Sequence, residues 1–369
     1  MLPNPGLYVH FPWCIKKCPY CDFNSHPLRD DSDKTKYTHC LIDDLHSQSS
    51  GAAFASVFLG GGTPSLFSAE HISQVLAQID LERAAEVTME TNPGTTEYTD
   101  FELYRDAGVN RISLGAQSFA TDHLKALGRI HGAGDISVAY EKARHGGIDN
   151  INIDLMWGLP EQTLTEALSD LKQAIALQPD HISWYQLTLE PKTEFARRPP
   201  TLPDEDTLYA IEAAGIELLA KHSYQRYEVS AYAQPTKSCV HNTNYWTFGD
   251  YLGIGAGAHG KQTETSNAWQ AVRTRKSSQP RLYQQNPNFI EIEPVVDDQL
   301  AFEYMLNALR LVEGTDWETF EAHTGLDRQA IQEVWTPLVE QELVREERCA
   351  TTPLGLRYLD TVVSKFLSD

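Results

Sequence analysis

The chain has 369 residues, 41% of them hydrophobic, enough to bury one large core and a second, smaller one. Its formal net charge of -21 leaves little basic surface for a phosphate backbone, which argues against nucleic acid as a partner. The opening MLPNPGLYVHFPWC has no basic flank and no apolar h-region, and no run approaches a membrane span. Cys40, Cys239 and Cys349 lie far apart as reduced thiols would, so the sequence predicts a cytoplasmic protein.

Short apolar runs then alternate with amphipathic stretches, the pattern of βα units around a parallel sheet. Strands are predicted at LYVHF (7–11), SVFLGG (56–61), EVTMET (86–91), RISLGA (111–116), NINIDLMWG (150–158) and HISWYQLTL (181–189). Helical segments fall near 33–48, 68–80, 97–106, 134–146, 163–176 and 204–221. Six such units are two short of a closed TIM barrel. They predict an α/β fold, a partial (β/α)6 barrel over residues 1–260 whose right-handed crossovers bring the strand C-termini to one rim. A polar, proline-dotted excursion, hairpin or linker follows over 261–297, holding the basic run RTRK at 273–276. Residues 298–369 read as a small, mainly helical domain. Its helix-turn-helix rhythm is too acidic for DNA, and it is expected to cap the barrel or to dock a client protein.

Unusual residues collect where the rim should be. Cys14, Cys18 and Cys21 in YVHFPWCIKKCPYCDF form C-x3-C-x2-C, which can hold three corners of a [4Fe-4S] cluster and leave the fourth iron open. An electron-transfer cluster takes four cysteines and a structural zinc site closes with four ligands; a zinc knuckle completed by His10 or His26 is the alternative. The second strand ends in Gly60-Gly61-Gly62-Thr63-Pro64, where the backbone can come close to a ligand or simply make a tight turn. Glu90 ends the third strand and needs a partner if buried. Gln117 and Arg129 follow the fourth, and Asp154, between Ile153 and Leu155, should point into the barrel. Further on, HNTNYW (241–246) offers an imidazole for iron and two rings for a porphyrin face, or else aromatics that plug a core. GDYLGIGAGAHG (249–260) lacks the βαβ context of a dinucleotide loop and reads as a close-approach segment lining the same cavity.

The triplet, with Tyr20 just before its third cysteine, resembles the radical S-adenosylmethionine (SAM) superfamily. The rim residues in chain order are similar to its oxygen-independent coproporphyrinogen III oxidase-like branch over nearly the whole chain. The resemblance implies a partial barrel, a [4Fe-4S] cluster whose open iron is chelated by SAM, and SAM contacts at Tyr8, Tyr20, Gly61, Gly62, Thr63, Glu90, Gln117, Arg129 and Asp154. The oxidases of the branch carry a further cysteine two residues past the third, whereas this chain has Phe23. HNTNYW looks like the signature of the haem-chaperone members, which implies haem as cargo, held with His241, Asn242, Tyr245 and Trp246. The cargo would pass to apo-haem proteins such as respiratory enzymes, with peripheral membrane contact only through those clients; RTRK reads as a solvated loop, with attraction of the propionates as the alternative. The alternatives are an oxidase converting coproporphyrinogen III to protoporphyrinogen IX, or a radical SAM enzyme with another substrate. No catalytic residue is assigned, and SAM cleavage and a homodimer stay open.

Overall fold

A computed structural model describes residues 3–30, 32–49, 51, 53–94, 101–265 and 269–367. Six parallel strands form its core, neighbours in chain order: β1 (Gly6–Phe11), β2 (Phe54–Gly61), β3 (Leu81–Thr91), β4 (Arg111–Gln117), β5 (Asn150–Trp157) and β6 (His181–Gln186). Helices α1 (Lys34–Gln48), α2 (Ala69–Leu76), α3 (Phe101–Asp106), α4 (Ala133–His145), α5 (Leu164–Ala176) and α6 (Glu205–Lys221) alternate with them or follow the last. This is the predicted partial barrel; the expected start of the third helix, 97–100, lies outside the described residues. Four of these helices begin at a short polar side chain that caps a free amide. Asp33 accepts from Lys36 N, Thr163 and Glu166 cap each other's backbone, and Asp204 accepts from Thr207 N. The sixth strand ends at Gln186, earlier than predicted; Leu187 N still donates to Trp157 O at 2.8 Å and its side chain packs with Leu159 and Phe195.

The sheet extends beyond these six. Past β6 lie β7 (Gln225–Glu228) and β8 (Ala231–Ala233), antiparallel. On the other side β9 (Tyr251–Ile254) runs parallel to β1, followed by antiparallel β10 (His259–Glu264), β11 (Gln270–Arg275) and β12 (Glu291–Pro294). The strands within 261–297 therefore lie at an edge of the sheet, as a hairpin would. The RTRK run is not an available basic patch: Arg273 pairs with Glu303, Arg275 with Glu291, and Lys276 with Asp44 in a wholly buried contact. A buried cation needs such a partner.

A second core gathers Phe248, Ala271 and Val295 with Tyr304, Phe320 and Trp335, so the small domain draws on residues well before 298. It docks on the barrel through Val312 N to Tyr227 O (3.0 Å), Arg310 to Glu228 (3.2 Å) and the His323 ring to Thr247 O (2.6 Å). Among the described residues no helix is long and apolar enough to cross a membrane.

Candidate functional site

The loop after β1 is tied at its base. Trp13–Cys14 pairs in parallel with His26–Pro27, and Leu28 N donates to Cys14 O at 2.8 Å. Asn24 fixes the loop's flank by donating to Ala256 O and Ser278 O, both at 2.9 Å. This contact explains the glycine-rich segment. Gly257 has φ +77°, and a Cβ there would stand 2.3 Å from Asn24 Nδ2. The segment's close approach is thus to the chain's own cysteine loop; of residues 249–260 none borders the cavity at the cysteines, while Gly249 and Tyr251 border a small one beside Tyr245 and Trp246.

Cys14, Cys18 and Cys21 open together into a cavity of about 480 Å³ at the rim formed by the strand C-termini. Each thiol meets a polar neighbour: Thr63 Oγ1 donates to Cys14 Sγ at 3.6 Å, Arg129 Nη1 to Cys18 Sγ at 3.7 Å, and Cys21 Sγ lies 3.8 Å from Ser25 Oγ. Asn92 joins the first two, donating to Thr63 Oγ1 and accepting from Arg129 Nη2. Burial pushes the Cys14 and Cys21 thiols up, and the neighbouring cysteines' charge adds to it, so thiolates here call for a bound cation. The zinc alternative fits poorly. His10 is bonded to Tyr8 OH and Asn24 O, both at 2.9 Å, and His26 Nε2 to Asn24 Oδ1 at 3.2 Å. Among the described residues no three His, Cys, Asp or Glu side chains could share one metal ion. A cluster makes no such demand, because each thiolate holds its own iron.

Two carboxylates face the same cavity. Glu90 accepts from Gly61 N at 3.1 Å, and burial, with the nearby charge of Asp154, raises it to about 8. Asp154 accepts from Ser113 Oγ (2.9 Å) and Asn152 Nδ2 (2.7 Å) and is also raised by burial. Such a pair suits a ligand carrying positive charge and hydroxyl donors. Gln117, at φ +69° where β4 leaves the sheet, accepts from Tyr185 OH at 2.7 Å. All the predicted SAM contacts border this cavity except Tyr8, whose hydroxyl bonds to His10 outside the lining. Prediction missed Asn92, Ser113, Ser183 and Tyr185. The last two alternate along β6 with Trp184 facing away, a period-of-two signal that was available.

HNTNYW lies at the opposite end of the barrel. It forms α7 (Val240–Trp246), with Glu86 accepting from Val240 N (3.1 Å) and His241 N (3.2 Å) at its start. His241 is 1% exposed; Nδ1 meets Ser56 Oγ at 2.9 Å and Nε2 meets Tyr245 OH at 2.8 Å. Burial, with the charge of Arg111, lowers its pKa to about 3. The ring is therefore a core group and not an open iron ligand. Tyr245 packs edge-on against Tyr251, Arg310 lies 4.3 Å over the Trp246 ring, and Asn242 sits half-buried on the same helix. The core-plugging alternative describes these residues better than the porphyrin one. The strand length separating the two ends is roughly 17 Å at 3.3 Å per residue.

Comparison with known proteins places the chain in a family. The Radical SAM superfamily model matches residues 8–174 and the HemN C-terminal domain model residues 296–358. The chain is 44% identical to "Heme chaperone HemW" of Haemophilus influenzae over 381 residues, covering 100% of this chain and 99% of the relative. A protein of the same name from Escherichia coli is 44% identical over 379 residues, with 100% and 99% covered. The solved coproporphyrinogen III oxidase (HemN) of Escherichia coli superposes with a TM-score of 0.81 at 21% identity, covering 98% of this chain and 90% of that one, a likeness of fold. With a C-x3-C-x2-C rim on a six-stranded partial barrel and relatives matched from end to end, the chain belongs to the HemW family of the radical SAM superfamily.

Proposed function

We propose that the protein is a haem chaperone that binds haem and passes it to apo-haem proteins, with a [4Fe-4S] cluster on Cys14, Cys18 and Cys21 and SAM beside it. What carries the reading is the end-to-end match to relatives bearing that name. The cavity supports the cofactor part: three thiols with polar neighbours, and Glu90 and Asp154 facing the space between. When bound, the cluster would supply one-electron chemistry and SAM a nucleoside sulfonium. The chain's own residues hold the thiolates, orient the ligand and shield it from water. Phe23, in place of the oxidases' extra cysteine, favours this reading over porphyrinogen decarboxylation. Clients of respiratory type, reached at a membrane only through those clients, and a cytoplasmic location belong to the same proposal; the location is supported by Cys40, Cys239 and Cys349, which are buried and unpaired. The test is transfer. Haem-loaded protein mixed with an apo-haem enzyme should restore that enzyme's activity faster than free haem; no acceleration would defeat the proposal.

A further inference from the structure

We propose, resting on the haem-chaperone reading, that the porphyrin docks on the cluster-side mouth of the barrel against Ile15, Phe23 and Ile130, with Lys16 and Lys17 receiving its carboxylates. These three apolar side chains are 41%, 58% and 56% exposed and all border the cavity that holds the cysteines. Ile15 and Phe23 flank the triplet on one loop, and Ile130 follows Arg129 on the other side of the mouth. A ring of exposed apolar groups on one cavity edge is unusual for a solvated rim. The flat faces of a porphyrin would cover it.

Charge selects the occupant. In a chain of net charge -21, Lys16 and Lys17 are exposed at this mouth, and among the described residues neither is in an ion pair. Among the described residues Lys17 Nζ donates to Phe23 O, at 2.9 Å. The acids Asp22 and Glu190 also border the mouth, Asp22 on the same loop as the lysines. The opposite end of the molecule offers less. Lys261 and Arg273 are paired with Asp250 and Glu303, and the cavity lined by Tyr245 and Trp246 holds about 170 Å³, below the ~300 Å³ at which ligand pockets begin. A dicarboxylate with a broad apolar face fits the cluster-side mouth in both respects. Because the contacts are to faces and edge carboxylates, the central iron contributes little.

The test is a Soret titration of the full chain with its cluster reconstituted, comparing the native protein with Phe23→Ser, Ile130→Ser, Lys16→Glu/Lys17→Glu and Trp246→Leu. The two apolar variants and the charge reversal should each weaken haem at least tenfold with iron and sulfide content unchanged. Ile130→Ser, outside the cysteine loop, keeps the test valid if Phe23→Ser loses its cluster. Metal-free porphyrin dicarboxylate should compete with haem, and the dimethyl ester should bind weakly and be indifferent to the lysine reversal. Native-like binding by all mouth variants, or weakening confined to Trp246→Leu, would overturn the proposal. So would a change of oligomeric mass in the mouth variants without a change in haem affinity. Failure of the native protein itself to bind haem would defeat the haem-chaperone reading as a whole.

Discussion

The imidazole of His241 and the phenol of Tyr245 are hydrogen-bonded at 2.8 Å within one turn of helix, with the two rings edge-to-face at 4.8 Å. With Ser56 on the other nitrogen, the histidine is fully satisfied inside the barrel floor. His241→Ala should therefore act on folding. Loss of a buried ring and two hydrogen bonds costs about 2–4 kcal/mol, read as a lowered urea midpoint, while haem affinity of the folded fraction stays native. Full stability with abolished haem binding would make His241 a ligand after all.

Buried neutral histidines also make the protein acid-sensitive. His10 is lowered to about 4 and His241 to about 3, in both cases chiefly by burial. Below pH 6.5 the unfolded chain takes up protons that the native chain refuses, so stability falls with pH, by about 3 kcal/mol for each of the two groups by pH 4. Glu90, raised to about 8, works in the other direction: its contribution is present at low pH and is lost as pH rises from about 4.5 to 8. The two effects separate in NMR. Both histidine rings should show neutral chemical shifts at pH 5, and a midpoint near 6.5 for either would contradict its placement.

Much of this was legible in the sequence. Asp154 could be aimed into the barrel because it interrupts an apolar strand between Ile153 and Leu155, and the structure bonds it to Ser113 and Asn152 there. The six core strands announced themselves as runs buried on both faces. What the sequence concealed were relationships between distant segments. Glu86 starts a helix 154 residues away, and Gly257 makes room for Asn24. HNTNYW names side chains able to bind a porphyrin, but residue type does not say which way they face, and here Ser56 and Glu86 turn the helix inward.

Asn92 was hidden for the same reason, since its role depends on Thr63 and Arg129. It links the donors to Cys14 and Cys18, so Asn92→Ala should loosen both without unfolding the protein, costing about 1–2 kcal/mol for two lost hydrogen bonds. Hydrogen bonds to cluster sulfurs raise reduction potential. The reconstituted variant should be reduced at a more negative potential in an EPR-monitored titration, with Asn92→Asp, which keeps the acceptor for Arg129, retaining the Cys18 contact. An unchanged potential in Asn92→Ala would show that Thr63 and Arg129 hold their places unaided.

The Glu90 carboxyl makes ligand binding pH-dependent. Raised to about 8 by burial and by Asp154, it is mostly protonated at pH 7 in the free site. A sulfonium ligand favours the carboxylate, so binding should expel up to one proton at pH 7. Below pH 8 the affinity should then rise with pH, at most about tenfold per unit. Calorimetry of SAM binding in two buffers of different ionisation enthalpy measures the proton count directly. Glu90→Gln keeps the shape and a hydrogen-bonding oxygen for Gly61 N but cannot release a proton. Its affinity should be lower at pH 8 and the Glu90-linked proton release should disappear. If native and variant proteins release the same number of protons, the titrating group lies elsewhere and Glu90 does not face the ligand's charge.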